Sequence, residues 1–220
     1  MLRVGLTGEL GSGKSTVARM LAQHGAVILS SDEMGRAMMQ PGHAAFDQIV
    51  EHFGTSVLND DGTLNRHALA KLAFDPHAPR VEELNAIIHP AVITAQAEQI
   101  AELARTQPHA IVVIESALIF STKHAPGRGW RDRFDCILLV TAPDDIKIDR
   151  FIQRTSPGAA ELPQLREDAR RRLQAQRASI PDQIPTYRLE NDGTLIELTQ
   201  RVDALWSELQ QLEARTRTLA

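Results

Sequence analysis

Apolar residues in this chain fall into two kinds of pattern. Leu2 to Leu6, Ala26 to Leu29, Ala110 to Ile114, Cys136 to Val140 and Thr186 to Leu189 are short runs of strand length. Between them the apolar positions recur at helical spacing. Val17, Ala18 and Leu21 share one face of a helix that runs from about Lys14 to His24 and is stopped by Gly25. From Gly35 to about Gln107 the pattern is helical, with breaks at Pro41-Gly42, Asp60-Asp61-Gly62 and Asp75 to Pro79. Leu195, Leu198, Val202, Leu205, Trp206, Leu209 and Leu212 trace a final amphipathic helix packed on the sheet, with Trp206 as core.

Strands alternating with helices predict an α/β fold with five parallel strands. The unbroken β-branched run at 110–114 reads as a central strand covered on both faces. The crossover before it far exceeds the dozen or so residues that a parallel connection needs, which predicts a helical subdomain.

Chemistry enters directly behind the first strand. Gly8-Glu9-Leu10-Gly11-Ser12-Gly13-Lys14-Ser15 has the spacing of a phosphate-binding loop. Glycines let successive backbone amides turn toward an anion, and the following helix adds its N-terminal donors and positive dipole end. Lys14 is then expected to reach the β- and γ-phosphates and the Ser15 hydroxyl to ligate magnesium. The second strand ends in Ser30-Ser31-Asp32-Glu33, on the edge where open α/β sheets bind ligands. Two readings stand for Asp32: it takes the proton of an acceptor hydroxyl, or with Ser30 or Ser31 it caps the next helix. Glu115 follows the third strand, where a carboxylate can hold the metal or its waters.

His89 precedes Pro90, which disfavours helical geometry at His89 and predicts a bend facing a cleft; a surface or core histidine is the plainer reading. Ser121 to Arg133 is polar and reads as a mobile loop. The helix after Asp144-Asp145 carries Arg150 and Arg154 on one face, followed by a break at Ser156-Pro157-Gly158. An arginine-rich helix around Arg166, Arg170, Arg171, Arg172 and Arg177 comes next. An arginine pair beside such a break suits a lid that neutralises charge during phosphoryl transfer, while most of the later arginines read as a solvated face with acidic partners.

The 220 residues suffice for a core without disulfide or metal. The single cysteine, Cys136, lies in an apolar run and reads as a buried thiol, consistent with a reducing cytoplasm. The 24 basic and 28 acidic residues leave a net charge of −4, which argues against nucleic acid as the main partner. No apolar run approaches the length of a membrane helix, and the chain opens straight into a strand, so a soluble protein without a membrane partner is expected.

Taken together these residues resemble the dephospho-CoA kinases, within the P-loop nucleoside-monophosphate-kinase-like group. The resemblance covers nearly the whole chain. It rests on the phosphate loop, on Asp32 with Arg36 and Pro41-Gly42, and on Asp61-Gly62-Thr63-Leu64 with Arg66. Its most specific stretch is Leu84-Asn85-Ala86-Ile87-Ile88-His89-Pro90; Arg150, Arg154, Arg172 to Gln176 and Asn191-Asp192-Gly193 complete it. The chain departs from the family pattern at Ser30, Glu115, Ala117 and Ser121, and in a longer segment after Arg154.

The resemblance implies a P-loop kinase fold with a core over 1–34, 108–150 and 178–220, a helical acceptor-binding subdomain over about 35–107, and a lid over about 151–177. It implies transfer of the ATP γ-phosphate to the 3′-hydroxyl of dephospho-CoA, with Mg2+, in the cytoplasm, by a monomer or weak homo-oligomer. Asp32, Lys14, Arg150 and Arg154 are its expected catalytic residues. ATP is expected on Gly8, Glu9, Leu10, Gly11, Ser12, Gly13, Lys14, Ser15, Thr16 and Asn191, the last near the adenine. Dephospho-CoA is expected on Asp32, Arg36, Arg66, His89 and Glu115, and the metal on Ser15 and, through a water, Glu115.

Overall fold

The computed structural model describes residues 1–120, 129–155, 158, 161–176 and 186–219. Five strands form one parallel sheet: β1 (Leu2–Thr7), β2 (Val27–Ser30), β3 (Ile111–Glu115), β4 (Cys136–Thr141) and β5 (Thr186–Glu190), in the order β2-β3-β1-β4-β5. The central strand β1 pairs with β3 from Leu2↔Ile111 to Leu6↔Glu115, and with β4 from Val4↔Cys136 to Thr7↔Leu139. Its carboxyl end is therefore the point where the connections diverge to either side, the edge at which such sheets bind ligands. Each strand lies within a residue or so of its predicted run, because continuous apolar stretches are what a doubly covered sheet requires.

The described residues divide into two compact units. One is made of those of Met1–Leu29, Leu103–Ser121 and Trp130–Ala220, the other of those of Ser30–Glu102 and Thr122–Gly129. In the first, Leu2, Val4 and Leu6 of β1 are fully buried and pack with Val17, Ala18 and Leu21 of α1 (Lys14–Gln23) and with Leu198, Val202, Leu205 and Leu209 of the last helix (Leu195–Leu219). Fully burying side chains of this size contributes about 1.5–3 kcal/mol each. Trp206 is half-buried and stacks on His24, with ring centroids 5.6 Å apart. Burial pushes the Cys136 thiol up to about 12, so it is a core residue and no nucleophile.

The second unit contains α2 (Ser31–Met38), α3 (Ala44–Phe53), α4 (Arg66–Ala73) and most of α5 (Val81–Thr106) around Ala45, Ile49, Phe53, Leu69 and Ile87. Here one expectation is corrected. His89 keeps helical geometry, because Pro90 lies inside a continuous helix of 26 residues. A proline costs the helix one hydrogen bond, and the buried Ile87, Val92 and Ile93 on either side hold the helix together against that loss.

The remaining helices are α6 (Asp144–Thr155), α7 (Leu162–Gln176) and α8 (Leu195–Leu219). The expected loop at 121–133 lies outside the described residues except for Gly129–Asp132, a 3-10 turn that buries Trp130, and Arg133. Ser156, Pro157 and Arg177 also lie outside them, as does Ser121. No described helix is long and apolar enough to cross a membrane.

Candidate active site

The loop that leaves β1 is shaped by two glycines in left-handed geometry, Gly11 at φ 73° and Gly13 at φ 95°. Both positions also lack room for a side chain. A Cβ on Gly11 would collide with the backbone carbonyl of Lys147, and one on Gly13 with the carboxamide of Asn191. The Ser12 amide closes the loop on the Glu9 carbonyl at 3.1 Å, and Lys14 Nζ folds back to the same carbonyl at 3.3 Å. α1 then starts at Lys14 with no side chain capping it, which leaves the amide-rich helix start to receive an anion.

Beside that start, the Ser15 hydroxyl donates to Glu115 Oε1 at 2.6 Å. The pairing of β3 with β1 puts them together, since Glu115 is the residue in register with Leu6, two before the loop. A hydroxyl and a carboxylate side by side form a hard-oxygen pair that suits Mg2+, an ion usually bound through one or two carboxylates with waters and phosphate oxygens completing its shell.

Asn191 is nearly buried, at 6% exposure, and its polar groups are committed. Its amide donates to the Thr141 carbonyl at 2.7 Å and its Nδ2 to the Ser12 carbonyl at 2.8 Å. Arg150 donates to its carbonyl at 3.0 Å and to Oδ1 at 3.2 Å. Asn191 thus ties β5, α6 and the phosphate loop into one frame, and its carboxamide is turned to the loop backbone. Arg150 and Arg154 share a helix face in sequence but not an environment. Arg150 is fixed by Asn191, whereas Arg154 is exposed and makes no ion pair or hydrogen bond among the described residues.

Two further contributors complete this frame, of which Gln176 ends the stretch Arg172 to Gln176 that carries the resemblance and Lys147 belongs to no motif. Lys147, 3% exposed, forms ion pairs with Glu9 and, at 2.8 Å, with Asp144. Gln176 Oε1 accepts the Leu10 amide at 2.8 Å while the Leu10 side chain packs on Ile148, Phe151 and Leu173 of α6 and α7. The signal for Lys147 lies in its register: it sits on the same stripe as Ile148, Phe151 and Ile152, where a lysine needs a partner to be buried. On α7, Arg166 pairs with Asp149, and Arg170, Arg171 and Arg172 with Glu167 or Asp168, the solvated pattern.

In the helical unit the cap of α2 is Ser30, whose Oγ accepts the Glu33 amide at 3.3 Å. Asp32 therefore is not the cap; it is exposed in the first turn of α2, with Arg36 exposed one turn later. Arg66 is the exposed first residue of α4, whose cap is Asn65. The turn before it is fixed by Thr63, whose hydroxyl and amide hold the Asp61 carboxyl below its usual range. His89 is half-buried on α5.

Comparison with known proteins agrees with this architecture. A family model described as dephospho-CoA kinase matches residues 2–197. A Corynebacterium jeikeium protein named dephospho-CoA kinase is 40% identical, over 95% of this chain and 100% of its own length. One from Moorella thermoacetica is 37% identical over 96% and 93%. A solved structure from Thermus thermophilus is 30% identical and superposes with a TM-score of 0.65 over 94% of this chain and 97% of that one. A Campylobacter jejuni dephospho-CoA kinase, only 15% identical, shares the fold at a TM-score of 0.57 over 94% and 96%. A phosphate loop on the central strand, matched along nearly its whole length by one family, means that this chain belongs to the dephospho-CoA kinase family: it is an enzyme that phosphorylates dephospho-CoA with ATP, the last step of coenzyme A biosynthesis.

Proposed function

We propose that the backbone amides from Gly8 to Thr16 hold the ATP phosphates, and that the acceptor is the 3′-hydroxyl of the dephospho-CoA ribose. The observation that carries this reading is the Ser15 and Glu115 oxygen pair at 2.6 Å, beside an uncapped helix start. Phosphoryl transfer asks little covalent chemistry of a protein and much positioning and neutralisation of charge. Loop amides orient the phosphates, and Lys14 leaves the Glu9 carbonyl for the β- and γ-phosphates. Arg150, docked on Asn191, keeps the loop backbone in place; Arg154 is the exposed cation available to meet developing charge.

Ser15 and Glu115, the latter directly or through a water, would hold Mg2+, which would supply neutralisation of the phosphate charge. Asp32 accepts the proton of the attacking hydroxyl. Arg36, Arg66 and His89, within a helical subdomain over about 35–107, hold dephospho-CoA, and the segment at about 151–177 is a lid. Cytoplasmic residence, as a monomer or weak homo-oligomer, completes the proposal.

The metal assignment is tested by Glu115→Gln, which keeps the hydrogen bond from Ser15 but removes the charge. In an ADP-release assay the variant is expected to need about tenfold more Mg2+ for half-maximal rate. An unchanged Mg2+ requirement would remove Glu115 from the metal shell.

A further inference from the structure

The phosphate loop carries an acidic residue, Glu9, directly after Gly8. A carboxylate is an unfavourable neighbour for a triphosphate, since like charges brought close without compensation repel strongly outside bulk water. Glu9 is compensated from α6. Lys147 makes its ion pair with the Glu9 carboxylate from a side chain only 4% exposed, and a second one with the half-exposed Asp144 at 2.8 Å. The same residue touches the loop a second time through its backbone, since its carbonyl fills the space where Gly11 would carry a Cβ. One turn on, Arg150 reaches the loop again through Asn191 and the Ser12 carbonyl.

We propose that Lys147 is a positioning residue for ATP: its ammonium cancels the charge of Glu9 and holds that carboxylate against α6, away from the incoming phosphates. The proposal rests on the reading of Gly8 to Ser15 as the triphosphate site. Neither residue touches the reacting atoms. Lys147 acts through Glu9, and the two form a matched pair in which the lysine is needed only because the glutamate is there. Asp144 does not substitute for Glu9 in this role, because its exposed carboxylate is solvated with or without the lysine.

The matching makes a sharp test. Lys147→Met keeps the approximate length and packing of the side chain and removes the buried cation beside Glu9. Its KM for ATP and its Kd for ADP, by calorimetry, are expected to rise about 30-fold, with the KM for dephospho-CoA within about threefold of the parent. Adding Glu9→Gln to Lys147→Met is expected to bring ATP affinity back to within about threefold. A lysine that only supports the fold would predict the opposite: a double variant no better than the single one, and both substrates affected alike. Either result overturns the proposal.

Should Lys147→Met alone not accumulate as folded protein, the double variant decides. Folded protein with near-parental ATP affinity upholds the pairing, and a double variant that binds ATP weakly or does not fold overturns it. Lys14→Ala serves as the control for the underlying reading. If it leaves ATP affinity unchanged, the loop is not the triphosphate site and both readings fall; if it weakens ATP while Lys147→Met does not, only the role of Lys147 is lost.

Discussion

The phosphate-loop region and the helical unit hold their candidate residues in different ways. Around the loop, partners are distant in sequence: Ser15 and Glu115 are 100 residues apart, Glu9 and Lys147 138, and Ser12 and Asn191 179. In the helical unit the polar contacts are mostly local, as in Ser30 to Glu33, Asn65 to Ala68 and Asp61 to Thr63, and the side chains of Asp32, Arg36 and Arg66 face solvent. A residue of the first kind is defined by what holds it, and its loss is felt in the fold as well as in binding. A residue of the second kind has its helix position supplied by neighbours and leaves its side chain in solvent.

Asp32→Asn should show the largest effect on turnover and the smallest on stability. Its carboxylate is exposed and the cap of α2 belongs to Ser30, so the melting temperature should stay within about 1 °C of the parent. If Asp32 takes the acceptor proton, kcat falls roughly 10²-fold or more while ATP binding by calorimetry is preserved. A variant with near-parental kcat would break the comparison, because Asp32 would then be an exposed residue with neither a structural nor a chemical role.

Asn191→Ala should behave in the opposite way. It strands the Ser12 carbonyl in a nearly buried place and removes one of the two Arg150 hydrogen bonds, the one to the main-chain carbonyl surviving, at a cost of about 2 kcal/mol, or roughly 4–8 °C in melting temperature for a chain of this size. Because the Asn191 carboxamide also packs against Gly13, the loop loosens, and the KM for ATP should rise about tenfold, with the acceptor KM little changed. An unshifted melting curve would mean that the long-range contacts of this region carry no stability.

The same contrast decides what the sequence makes legible. Apolar runs, the glycine-rich spacing and the helical stripes are local patterns, and the strands and the loop fall where those patterns put them. The cap of α2 is local too: Ser30 and Glu33 have the three-residue offset of a capping box, which is the signal that separates Ser30 from Asp32. The distant partners are illegible for the converse reason: register marks Lys147 as a lysine in need of a partner, but Glu9 lies 138 residues away, and Ser12 lies 179 residues from Asn191. The proline rule at His89-Pro90 fails where local preference meets packing: burial of the surrounding helix face outweighs one lost hydrogen bond.

His89 tests the comparison at its weakest point, because it is neither exposed like Asp32 nor buried like Asn191. α5 runs through His89 without a break, so the residue's place in acceptor binding depends on the exposed part of the ring. On the substrate-binding reading, His89→Ala raises the KM for dephospho-CoA about threefold to tenfold, as one lost neutral hydrogen bond does, and leaves the KM for ATP unchanged. On the packing reading both KM values hold and the melting temperature drops, since truncation beside Ile87 and Val92 opens space that alanine's better helix propensity offsets only in part. The ratio of the two KM changes, measured together with the melting curve, assigns His89 to one kind of residue or the other.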